Sequence, residues 1–306
     1  MSERTVVLNA KVVADGGANV ATVIVRGGRI VRVEAADADG LDIAPGDAVV
    51  DARGGWLIPG LIDLHVHLCY GHLGGPSATS HEAMASGRLN ARTTLMSGVT
   101  TVRDVGAFQQ LNLALAEEIR RGGTPGPRVI ASGDFLSTVD GHCSYWARTV
   151  DGPESVRQAV REQLAAGAEA IKVMASAGVA DSHEDPTVAQ LDLAELTAAV
   201  EEAAKAGRRV AAHAHPEQAI RDAVRAGCAT IEHGTYLTDE AVDEMIRRDV
   251  AVVPTLAVYE RLAAGTDGDV KDTRAQAAAI WDEKIPRLRR AIARGVRVGV
   301  GTDSGS

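Results

Sequence analysis

His65 and His67 close an apolar run, Trp56-Leu-Ile-Pro-Gly-Leu-Ile-Asp-Leu-His-Val-His-Leu68. In a strand, residues i and i+2 project from the same face, so both imidazoles point the same way. Neutral imidazole is the commonest protein ligand for a metal, and two on one face are half of a divalent-metal site. The rest must come from elsewhere in the chain. Lys172, His213, His233 and Asp303 each end or sit within another short apolar run and are the candidates. The competing reading makes the histidines core residues and Asp303, in Thr-Asp-Ser, a helix N-cap.

Lys172 discriminates most among these. The chain has only five lysines, at 11, 172, 205, 271 and 284, and Lys172 lies inside Ala170-Ile-Lys-Val-Met-Ala175. A lone ammonium in an apolar strand costs several kcal/mol, so it loses its proton or finds a partner. A neutral amine reacts with CO2 to give a carbamate, whose two oxygens can bridge two metals. The alternative is a structural salt bridge, with Asp104 as partner.

These residues need a scaffold that brings their strand ends together. The first segment reads as short strands, Thr5–Val13, Asn19–Arg26 and Arg29–Glu34, with Gly27-Gly28 as a hairpin turn. Val49-Val50-Asp51 follows. This predicts a small antiparallel β module over residues 1–58, an incomplete β-sandwich. From residue 59 strands alternate with Ala/Arg/Glu-rich helices. Strands are expected at Leu57–His67, Val99–Asp104, Arg128–Ser132, Ala170–Ala175, Arg209–His213, Thr230–His233, Val250–Pro254 and Val296–Thr302. Gly167, Gly207, Gly227 and Gly295 end helices, and Asp192 with Glu195 forms a capping box. Strand–helix alternation implies parallel strands with right-handed crossovers, and eight strands predict an α/β fold of the (β/α)8 TIM-barrel type over residues 59–306. Only seven following helices are legible, so the barrel is expected to lack its eighth helix, the chain stopping after strand eight. A doubly wound open sheet lacks support, because no Gly-x-Gly-x-x-Gly or Walker loop follows a strand.

The run Gly60-Leu-Ile-Asp-Leu-His-Val-His67 resembles the amidohydrolase superfamily. So do Thr100-Thr-Val-Arg-Asp-Val-Gly106, Gly141-His142, Ile171-Lys-Val-Met-Ala-Ser-Ala-Gly178, Asp185-Pro186 with Gln190, Ala212-His-Ala-His215 and Ile231-Glu-His-Gly-Thr-Tyr236. Together they are similar to the branch holding metal-dependent Xaa-Pro and Xaa-Arg dipeptidases, ochratoxin-type amidases and imidazolonepropionase-related hydrolases. The resemblance implies two divalent metals, with zinc suiting nitrogen and oxygen ligands. His65, His67 and Asp303 would hold the more buried ion, His213 and His233 the more exposed one, and carbamylated Lys172 would bridge them. A bridging hydroxide would attack an amide of a dipeptide or N-acyl amino acid, with Asp303 moving the proton. His142 and Tyr236 would stabilise the oxyanion or bind substrate, and His215 would touch substrate or support a ligand. Alternatives are a single-metal deaminase or imidazolone-type ring hydrolase, which generally lacks the strand-four lysine, and a truncated, inactive chain that binds metal. Missing elements after Asp303 would expose apolar surface and favour a homo-oligomer.

Composition bounds the partners. The chain has 306 residues, is 45% hydrophobic, and carries a formal net charge of −9, which argues against a nucleic-acid or anionic-membrane surface. No run approaches the ~18–20 apolar residues of a membrane span, and the N-terminus lacks signal-peptide character, so a cytoplasmic location is expected. Cys69, Cys143 and Cys228 make neither a disulfide framework nor a zinc knuckle. His72, His81 and His183 read as structural or solvated.

Overall fold

The computed structural model describes residues 4–14, 17–35, 43–70, 79–179, 184–264 and 271–305. His72 and His183 lie outside them; His81 is exposed in the first turn of a helix. The chain divides into two compact units, Met1–Gly60 and Leu61–Ser306.

The first unit holds β1 (Arg4–Ala14), β2 (Gly17–Arg26), β3 (Arg29–Ala35), β4 (Ala48–Asp51) and β5 (Trp56–Leu57) in one sheet. Gly27 and Gly28, both at positive φ, turn β2 into β3 as an antiparallel hairpin. β4 and β5 then pair with β1 in parallel. The module is therefore mixed rather than antiparallel. A two-residue turn forces the chain to reverse, whereas the longer connection after β3 lets it return before pairing again. Among the described residues it is one sheet, not two facing each other.

The second unit alternates strands and helices. In order they are β6 (Leu61–Val66), α1 (Ser80–Met96), β7 (Val99–Asp104), α2 (Leu111–Arg120), β8 (Arg128–Ala131), β9 (Leu136–Thr138), β10 (Arg148–Val150), α3 (Gly152–Ala165) and β11 (Ile171–Met174). Then come α4 (Leu193–Lys205), β12 (Val210–Ala214), α5 (Glu217–Ala226), β13 (Thr230–His233), α6 (Asp239–Arg247), β14 (Ala251–Val253), α7 (Leu256–Ala264) and α8 (Lys271–Arg294). All pairing between these strands is parallel, in sheets ordered β6-β7-β8 and β10-β9-β11-β12-β13-β14. The result is an α/β fold.

Local chemistry explains the elements. β11 and β12 are buried throughout, as parallel strands covered on both faces must be. α5 buries Ala219, Ile220, Ala223 and Val224, a stripe at helical spacing. Asp192 accepts from Glu195 N while Glu195 accepts from Asp192 N, the expected capping box. Gly167, Gly207, Gly227 and Gly295 all take positive φ just beyond helices.

Four expectations need correction. The run read as one strand, Leu57–His67, is split at Pro59-Gly60: Leu57 belongs to the small sheet and Leu61 starts the parallel one. Pro59 cannot donate to a ladder, so the strand breaks there. β9 and β10 are additional short strands in the segment carrying His142, and α7 is an additional helix. The expected strand Val296–Thr302 makes only isolated bridges, Val252↔Val298 and Val66↔Ser304. Gly299 and Gly301 account for this. A Cβ on Gly299 would stand 2.5 Å from Leu64 Cδ1, and one on Gly301 2.4 Å from Val253 Cγ1 and 2.8 Å from His65 Cβ. The segment is seated by hydrogen bonds on both sides, Val252 N to Arg297 O (2.9 Å) and Leu64 N to Val300 O (2.8 Å). Among the described residues no helix is long and apolar enough to cross a membrane.

Candidate metal centre

The parallel strands carry the candidates to one place. His65 is the penultimate residue of β6 and His67 follows it; Lys172 lies in β11, His213 in β12 and His233 at the end of β13. Asp303 is seated by its own backbone, which donates to His65 O at 2.8 Å. Two donor groups result, His65/His67/Asp303 and His213/His215/His233, each with ligand atoms within 4.8 Å of one another. They adjoin: ring centroids are 4.9 Å apart for His65–His233 and 4.6 Å for His213–His233.

Each ring has one nitrogen tied and the other available. His67 Nδ1–H donates to Gly106 O (2.8 Å) and His65 Nδ1–H to the Glu232 carboxylate (2.7 Å). Both Nε2 atoms then lie 3.5 Å from Asp303 Oδ1. His213 donates Nε2–H to Ala177 O (3.2 Å), leaving Nδ1. His233 Nδ1 meets Thr255 Oγ1 and His215 Nδ1 meets Thr235 Oγ1, both at 2.7 Å, leaving Nε2 in each. Fixing the outer nitrogen in this way sets tautomer and orientation, as in metal-binding histidines generally.

Electrostatics favour the neutral forms a metal needs. Burial pulls His213, His215 and His233 well below the usual imidazole range, with neighbouring histidines and Lys172 adding; His65 is lowered for the same first reason. Burial also brings Lys172 down to about 8, against the opposing charges of Glu232 and Asp303. Lys172 has no salt bridge with Asp104. That carboxylate instead accepts from Leu68 N, Gly106 N and Asn112.

Backbone strain gathers here too. His233, Thr255 and Asp303 all have positive φ, at 69°, 47° and 60°. For a β-branched residue such as Thr255 this is a genuine outlier, and strain of ~1–3 kcal/mol per residue persists only where surrounding structure holds it.

Of the other residues singled out in the sequence, His142 is stacked on His213, with ring centroids 4.5 Å apart. Its N–H donates to Gln190 Oε1 (3.0 Å), its carbonyl accepts from Ser137, and its Nδ1 meets Glu184 at 2.7 Å. Burial lowers this imidazole, but Cys143 and Glu184 outweigh it and push it up to about 10. His215 is grouped with the donors themselves. Tyr236 is half-buried, its N–H donating to His215 O (2.9 Å), with its phenol raised by burial and by the charges of Glu283 and Asp185. The tyrosine lying against the rings is Tyr259, 6.2 Å from His215 and 6.0 Å from His233.

Sequence reasoning passed over Glu232, Arg103, Thr255, Tyr259 and Lys284. Glu232 carried a signal, being a charge inside an apolar strand. Lys284 carried none, because a lysine in a helix reads as solvent-facing.

The amidohydrolase family model matches residues 56–306. Ochratoxinase of Aspergillus niger is 34% identical over 281 residues, covering 81% of this chain; the chain spans 58% of that protein's length. A solved Xaa-Pro dipeptidase with methionine bound in its active site is 28% identical with a TM-score of 0.89, covering 99% of this chain and 80% of that one. A prolidase complexed with N-methylphosphonate-L-proline is 32% identical with a TM-score of 0.88, covering 98% and 78%.

Proposed function

Because this chain belongs to the amidohydrolase family, we propose that it is a binuclear metal-dependent amidohydrolase cleaving the amide bond of a dipeptide or N-acyl amino acid. One observation carries the reading. Two sets of donors, His65/His67/Asp303 and His213/His233, adjoin each other, all buried except the partly buried Asp303, and a buried lysine with lowered basicity interacts with both sets. The scaffold we infer is a (β/α)8 barrel. In its support, Glu169 N donates to Ala131 O (2.8 Å) between β8 and the start of β11, and His67 N donates to Ser304 O (2.9 Å) where the last segment returns to β6.

The donor chemistry fits two zinc ions. His65, His67 and Asp303 would hold one, His213 and His233 the other, and Lys172, as its carbamate, would supply an oxygen to each. When bound, the pair would lower the pKa of water and polarise the scissile carbonyl. Asp303 stands between Nε2 of His65 and His67 and is placed to take a proton from the attacking water and return it to the leaving amine. His142, whose Nδ1 meets Glu184 at 2.7 Å, would donate to the developing oxyanion. His215 and Tyr236 face the substrate.

The test is a panel of Xaa-Pro and Xaa-Arg dipeptides and N-acyl amino acids, offered to zinc-loaded protein in bicarbonate. Hydrolysis of at least one class, with two equivalents of metal bound, is expected. Two metals and no turnover on any class would overturn the reading.

A further inference from the structure

Asp303 stands on a segment with little sheet pairing of its own, which meets its neighbours through the isolated bridges Val252↔Val298 and Val66↔Ser304. Its φ of 60° is one that an aspartate keeps only where the surroundings hold it. Asp63 supplies such a hold. It lies in β6, just ahead of His65, and is buried. Its Oδ1 accepts from Thr302 N and from His65 N, both at 3.1 Å, and its Oδ2 accepts from Thr302 Oγ1 at 2.6 Å. The Thr302 hydroxyl in turn accepts from Ser304 N at 3.2 Å. The residues on either side of Asp303 are thus tied to one buried carboxylate, Thr302 directly and Ser304 through the hydroxyl. Asp303 N itself donates to His65 O at 2.8 Å. A buried carboxylate is costly unless its oxygens are satisfied, and these donors satisfy both. The contact with Thr302 Oγ1 has the short length of a charge-assisted bond.

We propose that Asp63 is a positioning residue for Asp303: by clasping Thr302 it sets the Asp303 carboxylate 3.5 Å from Nε2 of both His65 and His67. It acts through Thr302 and is not itself a ligand. One carboxylate holds the backbone of His65 and the residue before Asp303, so the two ligands share a common reference. A continuous ladder would fix the same register, and the last segment has none. Displacing Thr302 would let Asp303 relax from its left-handed conformation and leave His65 and His67 without their oxygen donor. The pairing also explains the residue types. Oδ1 and Oδ2 both meet donors, so an asparagine would turn its amide N–H2 toward one of them. A valine at 302 would keep the shape of threonine and lose both roles of the hydroxyl. This rests on the proposed function only for the use of Asp303 as a metal ligand and proton carrier.

Zinc titration of the intact 306-residue chain against a competing chelator separates this from catalysis. His67→Ala, which removes one ligand of the group, marks the binding step that belongs to it. That step is expected to weaken by ~10–100-fold in Asp63→Asn and in Thr302→Val, as for other residues that orient a metal ligand, while the other step holds. Thr302→Ser keeps the hydroxyl and is expected to restore wild-type affinity. With cobalt(II) in place of zinc, the visible absorption should shift in Asp63→Asn and Thr302→Val and not in Thr302→Ser, because it reports ligand geometry. Thr302→Val loses one hydroxyl and no volume, a small fraction of the stability of a domain this size, so it folds. An unchanged His67-dependent step in both Asp63→Asn and Thr302→Val would overturn the proposal. So would equal weakening of both steps with a lowered Tm in chelator, which is what a purely structural clasp gives, or a wild type with no His67-dependent step. An Asp63-dependent step in a chain that hydrolyses no amide would uphold the positioning role while the proposed function failed.

Discussion

The Glu232 carboxylate accepts from His65 Nδ1 at 2.7 Å and from Arg103 Nη2 at 2.7 Å, and both Glu232 and His65 are buried. Burial alone would raise this carboxyl, but Arg103 and His65 hold it well below the usual carboxylate range. It is therefore an anion that fixes the tautomer of His65 and leaves Nε2 facing Asp303. Glu232→Gln removes that charge. Metal affinity should fall by ~10–100-fold, as for other residues that orient a metal ligand. Breaking the buried pair with Arg103 should cost about 3–5 kcal/mol of stability. Zinc titration and denaturant melts read the two effects separately, and an unchanged zinc affinity would refute the positioning role.

Lys172→Ala should abolish turnover by far more than that, because it removes the only side chain proposed to contact both metals. Short carboxylic acids added to the variant should restore part of the rate by taking the place of the carbamate. Lys172→Arg should not be rescued, since guanidinium neither reacts with CO2 nor leaves room. Full activity in Lys172→Ala would refute the carbamate outright.

The metal-free protein should lose stability as pH falls below about 6.5, the ordinary imidazole value. His65, His213, His215 and His233 all have lowered folded-state values. Unfolded, they bind protons more readily, so stability is complete above the unfolded value and is lost as pH drops through that window. Thermal melts in chelator from pH 7.5 to 5 should show a falling Tm with more than one proton taken up on unfolding. Added zinc should raise Tm throughout and flatten the profile near neutrality, because metal also binds the neutral rings. A pH-independent Tm in chelator would contradict the buried, neutral assignment.

Gly178→Ala should disable His142 without touching it chemically. A Cβ at residue 178 would lie 2.0 Å from His142 Cε1. The ring must move away from its stacked position on His213, and a displacement near 1 Å can cost ~10²-fold in rate. Metal content should remain at two. Wild-type turnover in this variant would remove His142 from the proposed chemistry.

The spacing of His65 and His67, the lysine at 172 inside an apolar strand, and the histidines at 213 and 233 were legible in the chain itself. Each signal is local: a two-residue period, a charge out of keeping with its neighbours, a run that ends on a ligand type. Strand–helix alternation likewise announced parallel sheets, because apolar runs and capping residues act over a few positions. The break at Pro59-Gly60 was not read, because the apolar run on both sides masked it.

Tertiary structure alone decided the rest. Nothing near Lys284 in sequence distinguishes it from a solvated helix lysine; only the packing of α8 on α7 buries it over Tyr259. Glu232 and Arg103 lie far apart in sequence, and their pairing under His65 depends on β7 and β13 meeting β6. His215 shares a strand-end motif with His213, yet its place among the donors follows from the turn that sets Thr235 against Nδ1. A sequence specifies short-range periodicity directly. It specifies long-range partners only through the fold, and charge neutralisation, tautomer and orientation are set by those partners.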